Sequence, residues 1–268
     1  MADVWARVPD LDEATQQGLA QVLETRGADA QQRSMRTAFL ADIPFPPDAR
    51  VLEVGCGTGV LTRVLAQRDG VASVTGTDLA PSLVARAADA ASRLQNVSFQ
   101  VADARDLPFE DESFDVVVMD SVLVHVPGPE HAVAEARRVL RPSGVCAAFE
   151  GDYATTTVAL GDHDPLQRCA DAMMANSVTD RWLVRRLPAM VRDRGFEIES
   201  FRSHGFVDIA GQGYMTTVID RGVALLVAAG DIGEELGAAL RTEARRRTVT
   251  GSFFGHIAYA SLVARKRD

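Results

Sequence analysis

The sequence predicts an α/β protein built on a doubly wound, mostly parallel sheet. Three observations lead there. Between about residues 50 and 150, short β-branched runs alternate with longer segments of helical periodicity. The strand runs are almost continuously apolar, as expected for strands covered on both faces. And a glycine-rich turn, "VGCGTG", follows directly on the first of them.

Taken in order, residues 10 to 41 read as helical, with Leu19, Val22 and Leu23 and then Met35, Phe39 and Leu40 as apolar stripes, before "PFPP" stiffens the link onward. "RVLEV" is the first strand. After the glycines, "TGVLTRVLAQR" sets Val60, Leu61, Val64 and Leu65 on one helical face against the sheet. "SVTGTD" is the second strand, and "APSLVARAADAASRL" a helix with Pro81 in its first turn, where a missing N–H costs nothing. "VSFQVAD", "FDVVVMD" and "GVCAAFE" are three more strands. Between the last two lies the helix "PEHAVAEARRVLRPSG", with Ala132, Val133, Ala136 and Val139 inward and the Pro142 and Gly144 turn as its stop. Residues 153 to 192 are mixed and end in a helix before Gly195. "EIESFRSHGFVDI" is a strand candidate, residues 213 to 248 hold two helical stretches, and "SFFGHIAYASLVARK" reads as a closing strand. The organisation expected is an N-terminal helical cap over 1–45 and an α/β domain over 46–268, with insertions at about 153–192 and 213–250.

Composition narrows the function classes. With 268 residues, 47% of them apolar, the chain can bury a substantial core. No run approaches the roughly 18 to 20 apolar residues of a membrane span, and "MADVWARVPDLDEATQQG" is no signal peptide, so no membrane partner is expected and the cytoplasm is the default location. A formal charge of −9 argues against nucleic acid as a partner, because gripping phosphates takes clustered Lys and Arg. Cys56, Cys146 and Cys169 are too widely spaced for a disulfide framework or a zinc site, and no metal is expected.

The glycine turn carries the first chemical information. A glycine-rich turn between strand and helix lets backbone approach a ligand closely and offers it the helix N-terminus. The dinucleotide fingerprint needs a glycine at the third spaced position, and that position is Val60. Glu53, just before the loop, suits a cationic ligand better than a pyrophosphate. The spacing therefore favours a ligand without phosphates. Asp78 ends the second strand, where a carboxylate can accept both hydroxyl protons of a ribose, and Asp103 follows the third. Each acid alone is equally explained as a turn residue; three at successive strand ends around a glycine turn are not.

Together "VLEVGCGTG", "VTGTDLAPSLV", "VADARDLPFEDESFDVVVMDSVLVHV" and "EARRVLRPSGVCAAFEGDY" resemble the class I S-adenosylmethionine-dependent methyltransferases, in the ubiquinone-biosynthesis-like branch that acts on small molecules. The resemblance spans about residues 50 to 153. It implies a Rossmann-like methyltransferase fold of seven strands with the last antiparallel, and S-adenosyl-L-methionine as cofactor. It puts Glu53, Gly55, Cys56, Gly57 and Gly59 around the methionine part of the cofactor and Asp78 at the ribose. Leu79, Asp103 and Ala104 fall at the adenine, and Asp120 and Ser121 under the reactive sulfonium. It also implies that the cap and the insertions fold over the cofactor as substrate lids. Arg33 or Arg36 could pair with the methionine carboxylate, since an Arg fork suits one; either is equally explained as part of the solvated face of an amphipathic helix.

A sulfonium methyl is already activated, so transfer needs a nucleophile held about 3 to 3.5 Å from it, and a general base only if the acceptor arrives protonated. His125, in "SVLVHV" past the fourth strand, is the catalytic candidate, with a structural role as its rival. Asp152 and Tyr153 stand at the expected pocket mouth, and Trp182 and Tyr214 are candidates to line an apolar or aromatic substrate pocket, against plain core packing. The expected partner is a small-molecule methyl acceptor, taken at oxygen, nitrogen or carbon in specialised metabolism, by a monomer or homodimer. Two other readings stay open: a protein or cyclase-like enzyme that binds S-adenosylmethionine without transferring methyl, and a nicotinamide-dependent dehydrogenase, disfavoured by Val60 and Glu53.

Overall fold

The computed structural model describes residues 3–211 and 213–267; the outermost residues of the two expected domain spans, and Gln212 before the last insertion, lie outside them. The described chain opens with a 3-10 turn, Trp5–Asp10, followed by α1 (Glu13–Ala28) and α2 (Ala30–Ala41). The expected single helical segment is thus broken. Asp29 adopts extended backbone and accepts from the Gln32 N–H, capping α2 just as Asp12 caps α1 through Thr15.

The Rossmann-like unit then runs β1 (Ala49–Val54), α3 (Val60–Leu65), β2 (Val71–Asp78), α4 (Pro81–Ala90), β3 (Val97–Val101), β4 (Phe114–Asp120), α5 (Pro129–Val139) and β5 (Leu140–Thr157). After β5 come α6 (Pro165–Ser177), α7 (Leu183–Asp193), β6 (Phe196–Asp208), α8 (Tyr214–Ala228), α9 (Glu234–Val249) and β7 (Gly255–Lys266). The seven strands lie in the order β3-β2-β1-β4-β5-β7-β6, with β7 antiparallel to both neighbours and the other pairs parallel. The expected seven-stranded, mostly parallel sheet with an antiparallel final strand is what forms.

Three details differ from the sequence reading. Val64 is half exposed, because α3 is short and turns only Leu61, Thr62 and Leu65 inward. Helix α5 stops at Val139, three residues before Pro142, and Leu140 already pairs with Phe114. Strand β5 runs on to Thr157, so the segment read as an insertion from 153 begins inside the sheet.

The main core gathers the inner faces of β1, β4, β5 and β7 with α2 and α5–α8. A second, smaller cluster ties Val8 to Leu19, Ala20, Ala80 and Leu83, with Trp5, Leu11 and Leu23 packed on it. It fastens the N-terminal turn to α1 and α4. Strand order reverses between β1 and β4, and open sheets of this kind hold ligands outside the carboxyl ends of the strands at such a switch point.

Candidate functional site

The loop after β1 is cut to glycine by both conformation and space. Gly55 and Gly57 have φ of +72° and +53°, where residues with a Cβ are strained. A Cβ on Gly55 would stand 2.3 Å from Val122 Cγ2, and one on Gly57 2.7 Å from Leu23 Cδ1. The loop is therefore pressed between the turn after β4 and helix α1. Val60, where a dinucleotide fold has glycine, packs on Gly27 of α1; a Cβ there would lie 2.6 Å from Val60 Cγ1. A helix of the cap fills the space beside α3.

Three acids converge on this loop. Glu53 is buried in β1 and accepts a short hydrogen bond from the Thr62 hydroxyl. Burial pushes its carboxyl up to about 8, and the nearby Asp120 and Asp78 add to the effect, against Thr62 and Arg36. Asp78 is locked to the loop: Oδ2 accepts from Gly57 N at 2.9 Å and Oδ1 from Ala80 N at 2.9 Å. Burial raises its pKa while those N–H groups restrain the rise. Asp103 sits at the rim and is held below the usual carboxylate range by the Arg105 guanidinium, 2.6 Å away.

From the opposite wall, two cap arginines enter. Arg36 Nε donates to Asp120 Oδ2 at 2.5 Å, and Arg26 Nη2 donates to Ser121 Oγ at 3.2 Å. Arg26 Nε and Arg36 Nη1 are buried without a hydrogen-bond partner among the described residues, a costly arrangement unless a ligand supplies an acceptor. Between the two walls lies a cavity of about 220 Å³. Glu53, Gly55, Cys56, Gly57, Asp78, Leu79, Asp103, Ala104, Asp120, Ser121 and His125 all line it; Gly59 caps the start of α3 just behind. An adenosyl group with an amino-acid tail fits this donor set: carboxylates for hydroxyls and an ammonium, orphaned guanidinium N–H groups for a carboxylate.

Other expected residues are not brought together. Arg33 is exposed and absent from the cavity wall, because the inward stripe of α2 runs through Gln32, Met35, Arg36, Phe39 and Leu40. Trp182 is also outside: it is 42% exposed, with the Arg185 and Arg181 guanidinium groups 4.4 and 5.4 Å from its ring centroid. Asp152 does not line the cavity either and faces Arg185 at 3.5 Å. Tyr153 and Tyr214 lie behind Arg26, where burial pushes the Tyr153 hydroxyl well up and the Tyr214 hydroxyl up to about 12. No residue of 153–192 or 213–250 lines the cavity.

What sequence reasoning missed comes mostly from the N-terminus. Trp5, Ala6 and Val8 line the cavity, and the buried Asp3 carboxylate lies 2.7 Å from His125 Nδ1. Arg26 had a signal: it stands seven residues after Leu19, on the apolar stripe of α1, where an arginine needs a reason. Glu150, buried in β5, accepts from Val122 N at 3.0 Å and Leu123 N at 2.8 Å and so fixes the turn that carries His125. Its signal was an acid ending the apolar run "GVCAAFE". Asp3 had none.

Among the described residues no helix is long and apolar enough to cross a membrane, and no group of three or more His, Cys, Asp or Glu is placed to hold a metal.

Comparisons with known proteins bear on the family and the fold. A family model described as a methyltransferase domain matches residues 52–148. The demethylmenaquinone methyltransferase of Tropheryma whipplei is 32% identical over 176 residues, 60% of this chain and 71% of that protein. The Staphylococcus aureus enzyme of the same name is 33% identical over 129 residues, 48% of this chain and 54% of that protein. An uncharacterized 37.1 kDa protein of a Streptomyces fradiae transposon is 32% identical over 171 residues, and the chain covers 48% of it. The chain thus spans between about half and about seven-tenths of the length of these relatives. Among solved structures, the (4+2)-cyclase SpnF superposes with a TM-score of 0.60 at 23% identity, covering 100% of this chain and 97% of that one. A Bacillus halodurans protein described as a candidate methyltransferase gives 0.64 at 21% identity, over 88% of this chain and 100% of that one. At such identities these two likenesses speak for the fold. With the Tropheryma relative matched over 71% of its length and the family model over residues 52–148, the chain belongs to the class I S-adenosylmethionine-dependent methyltransferases of the ubiquinone and menaquinone type.

Proposed function

We propose that the protein transfers a methyl group to a small apolar or aromatic acceptor, at oxygen, nitrogen or carbon, as a cytosolic enzyme of specialised metabolism. S-adenosylmethionine, when bound, supplies the activated methyl. The observation that carries the reading is the cradle itself: a glycine loop, three acids at successive strand ends and two cap arginines with unpaired N–H groups around one cavity. In it, Asp78 would hold the ribose hydroxyls, with Leu79, Asp103 and Ala104 at the adenine. Glu53 and the loop would take the methionine end, with Arg26 and Arg36 toward its carboxylate and Asp120 and Ser121 beneath the sulfonium. An apolar acceptor is supported by the walls that Trp5, Val8, Leu23, Val122 and Val126 contribute, and a reducing compartment by three free, buried cysteines. A charge of −9 speaks for a small molecule over nucleic acid.

Calorimetry with S-adenosylmethionine is the test, followed by assay for S-adenosylhomocysteine across a panel of phenols, amines and enolisable carbon acids. Binding and product formation are expected. Absence of binding overturns the assignment, and binding without product from any acceptor replaces transfer with a cofactor-dependent role such as that of a cyclase.

A further inference from the structure

The chain before α1 does more than cover the cavity. Asp3 is buried and accepts hydrogen bonds from four donors: Trp5 N at 3.0 Å, Thr179 N at 2.8 Å, Thr179 Oγ1 at 2.9 Å and His125 Nδ1 at 2.7 Å. Burial works to raise its pKa, and the hydrogen bond and charge of His125, with Thr179, outweigh it, so the carboxyl stays ionised. Three of the four donors meet at Oδ2, which ties the N-terminal turn, the β4–α5 turn and the α6–α7 loop at one atom.

The consequence for His125 is chemical. An ionised carboxylate has no proton to give, so the proton in that contact sits on Nδ1, and whenever the ring is neutral its free lone pair is on Nε2. Nε2 has no hydrogen-bond partner among the described residues, and the ring lines the cavity. The ring is also held from behind: its backbone carbonyl accepts from Thr179 Oγ1 at 3.3 Å, and Val124 O accepts from Asp180 N at 3.0 Å. A carboxylate that orients one nitrogen of a ring lining a cavity, while the other nitrogen has no partner among the described residues, is the arrangement of an activated general base. A histidine kept only for packing would not require a buried carboxylate brought from 122 residues away.

We propose that Asp3 and His125 form a general-base dyad, assembled when the N-terminal turn docks, and that the acceptor therefore presents its nucleophile masked as a hydroxyl group. The inference rests on the methyl-transfer reading above and names its substrate class. In the step, the acceptor O–H bond breaks and its proton passes to His125 Nε2. A bond forms from the methyl carbon to the oxygen, or to a conjugated ring carbon whose own proton then replaces, by way of His125, the one taken from the oxygen, and the C–S electron pair leaves with sulfur. Asp3 is the positioning residue and touches no substrate.

Two measurements test it. Nitrogen-15 NMR of the protein saturated with S-adenosylhomocysteine reads the tautomer of His125 directly. Nδ1–H is expected in the wild type, and in Asp3→Asn, whose amide can donate to Nδ1, the proton moves to Nε2. An Nε2–H tautomer in the wild type overturns the dyad. The second measurement compares methylation of 2-naphthol with that of its isostere 2-naphthalenethiol, whose thiol ionises near neutrality and needs no base. The ratio of the naphthol to the thiol rate is expected to fall by about 10²- to 10⁴-fold in His125→Gln and in Asp3→Asn. An unchanged ratio overturns the catalytic role. Failure of the wild type to methylate either probe while binding S-adenosylmethionine overturns the hydroxyl class; loss of cofactor binding brings down the methyltransferase reading itself.

Discussion

At the scale of the residue, the sharpest assignments are those where one side chain has no substitute. Asp78 holds the glycine loop through Gly57 N and keeps oxygen capacity toward the cavity. Asp78→Ala is expected to weaken S-adenosylmethionine binding by more than about tenfold, as the loss of two hydroxyl hydrogen bonds at a buried acceptor requires; unchanged affinity by calorimetry, with thermal stability as the control, removes the ribose assignment. The arginines make a paired prediction. Arg26→Met, which removes a buried guanidinium with an orphaned Nε, is expected to cost about tenfold or more in the same assay, whereas Arg33→Met, on the exposed face of α2, is expected to leave affinity within about twofold. The reverse order would restore Arg33 to the site. Glu53, Gly57 and Asp78 were legible because their chemistry is fixed by neighbours close in sequence. Arg26 was marked only as a charge on an apolar stripe, and Asp3 not at all, because their meaning comes from partners 95 and 122 residues away, and no local periodicity encodes a partner.

At the scale of the element, the alternating strands and helices up to β5 followed from periodicity, because β1, β4 and β5 are buried almost throughout, and the edge strand β3 was still marked by its β-branched and aromatic residues. The cap and insertions were less legible. Their helices pack on one another as well as on the sheet, so propensity decides their existence but tertiary contact decides their direction. The contact between α6 and α8 shows how. Gly222 of α8 lies so close to α6 that an added Cβ would stand 1.9 Å from Cys169 O and 2.5 Å from its carbonyl carbon. Backbone cannot swing aside as a side chain can, so the helices would have to separate. Gly222→Ala, which a helix alone would welcome, is expected instead to destabilise the fold by about 1 to 3 kcal/mol, read by urea unfolding. A neutral or stabilising result would mean that the two helices do not touch there. Trp182, a candidate for the pocket weighed against core packing, is exposed and lies in neither, because α7 begins just after it and turns Leu183, Val184 and Leu187 inward instead.

For the whole molecule, the distribution of acids sets a cost that depends on pH. Glu53 and Glu150 are both buried in the sheet, and burial pushes each up to about 8, with Asp120 adding to both. In the unfolded chain a glutamate ionises near its ordinary value of 4.5. Between those values the folded protein holds a proton that the unfolded chain has released, so folding stability is complete below about 4.5 and is lost as pH rises toward 8. Each such carboxyl contributes a slope of about 1.4 kcal/mol per pH unit across the window. Glu150 is the one to test, since it touches the cavity only through the turn it holds. Gln at this position keeps an oxygen for Val122 N and Leu123 N and cannot ionise. Glu150→Gln is therefore expected to match the wild type near about pH 5 and to gain on it by about 1.4 kcal/mol per unit between about pH 5.5 and 7.5, measured by urea unfolding without cofactor. Parallel stability curves for the two proteins would mean that Glu150 is ionised in the fold, and would remove the neutral acid from beneath the turn that carries His125.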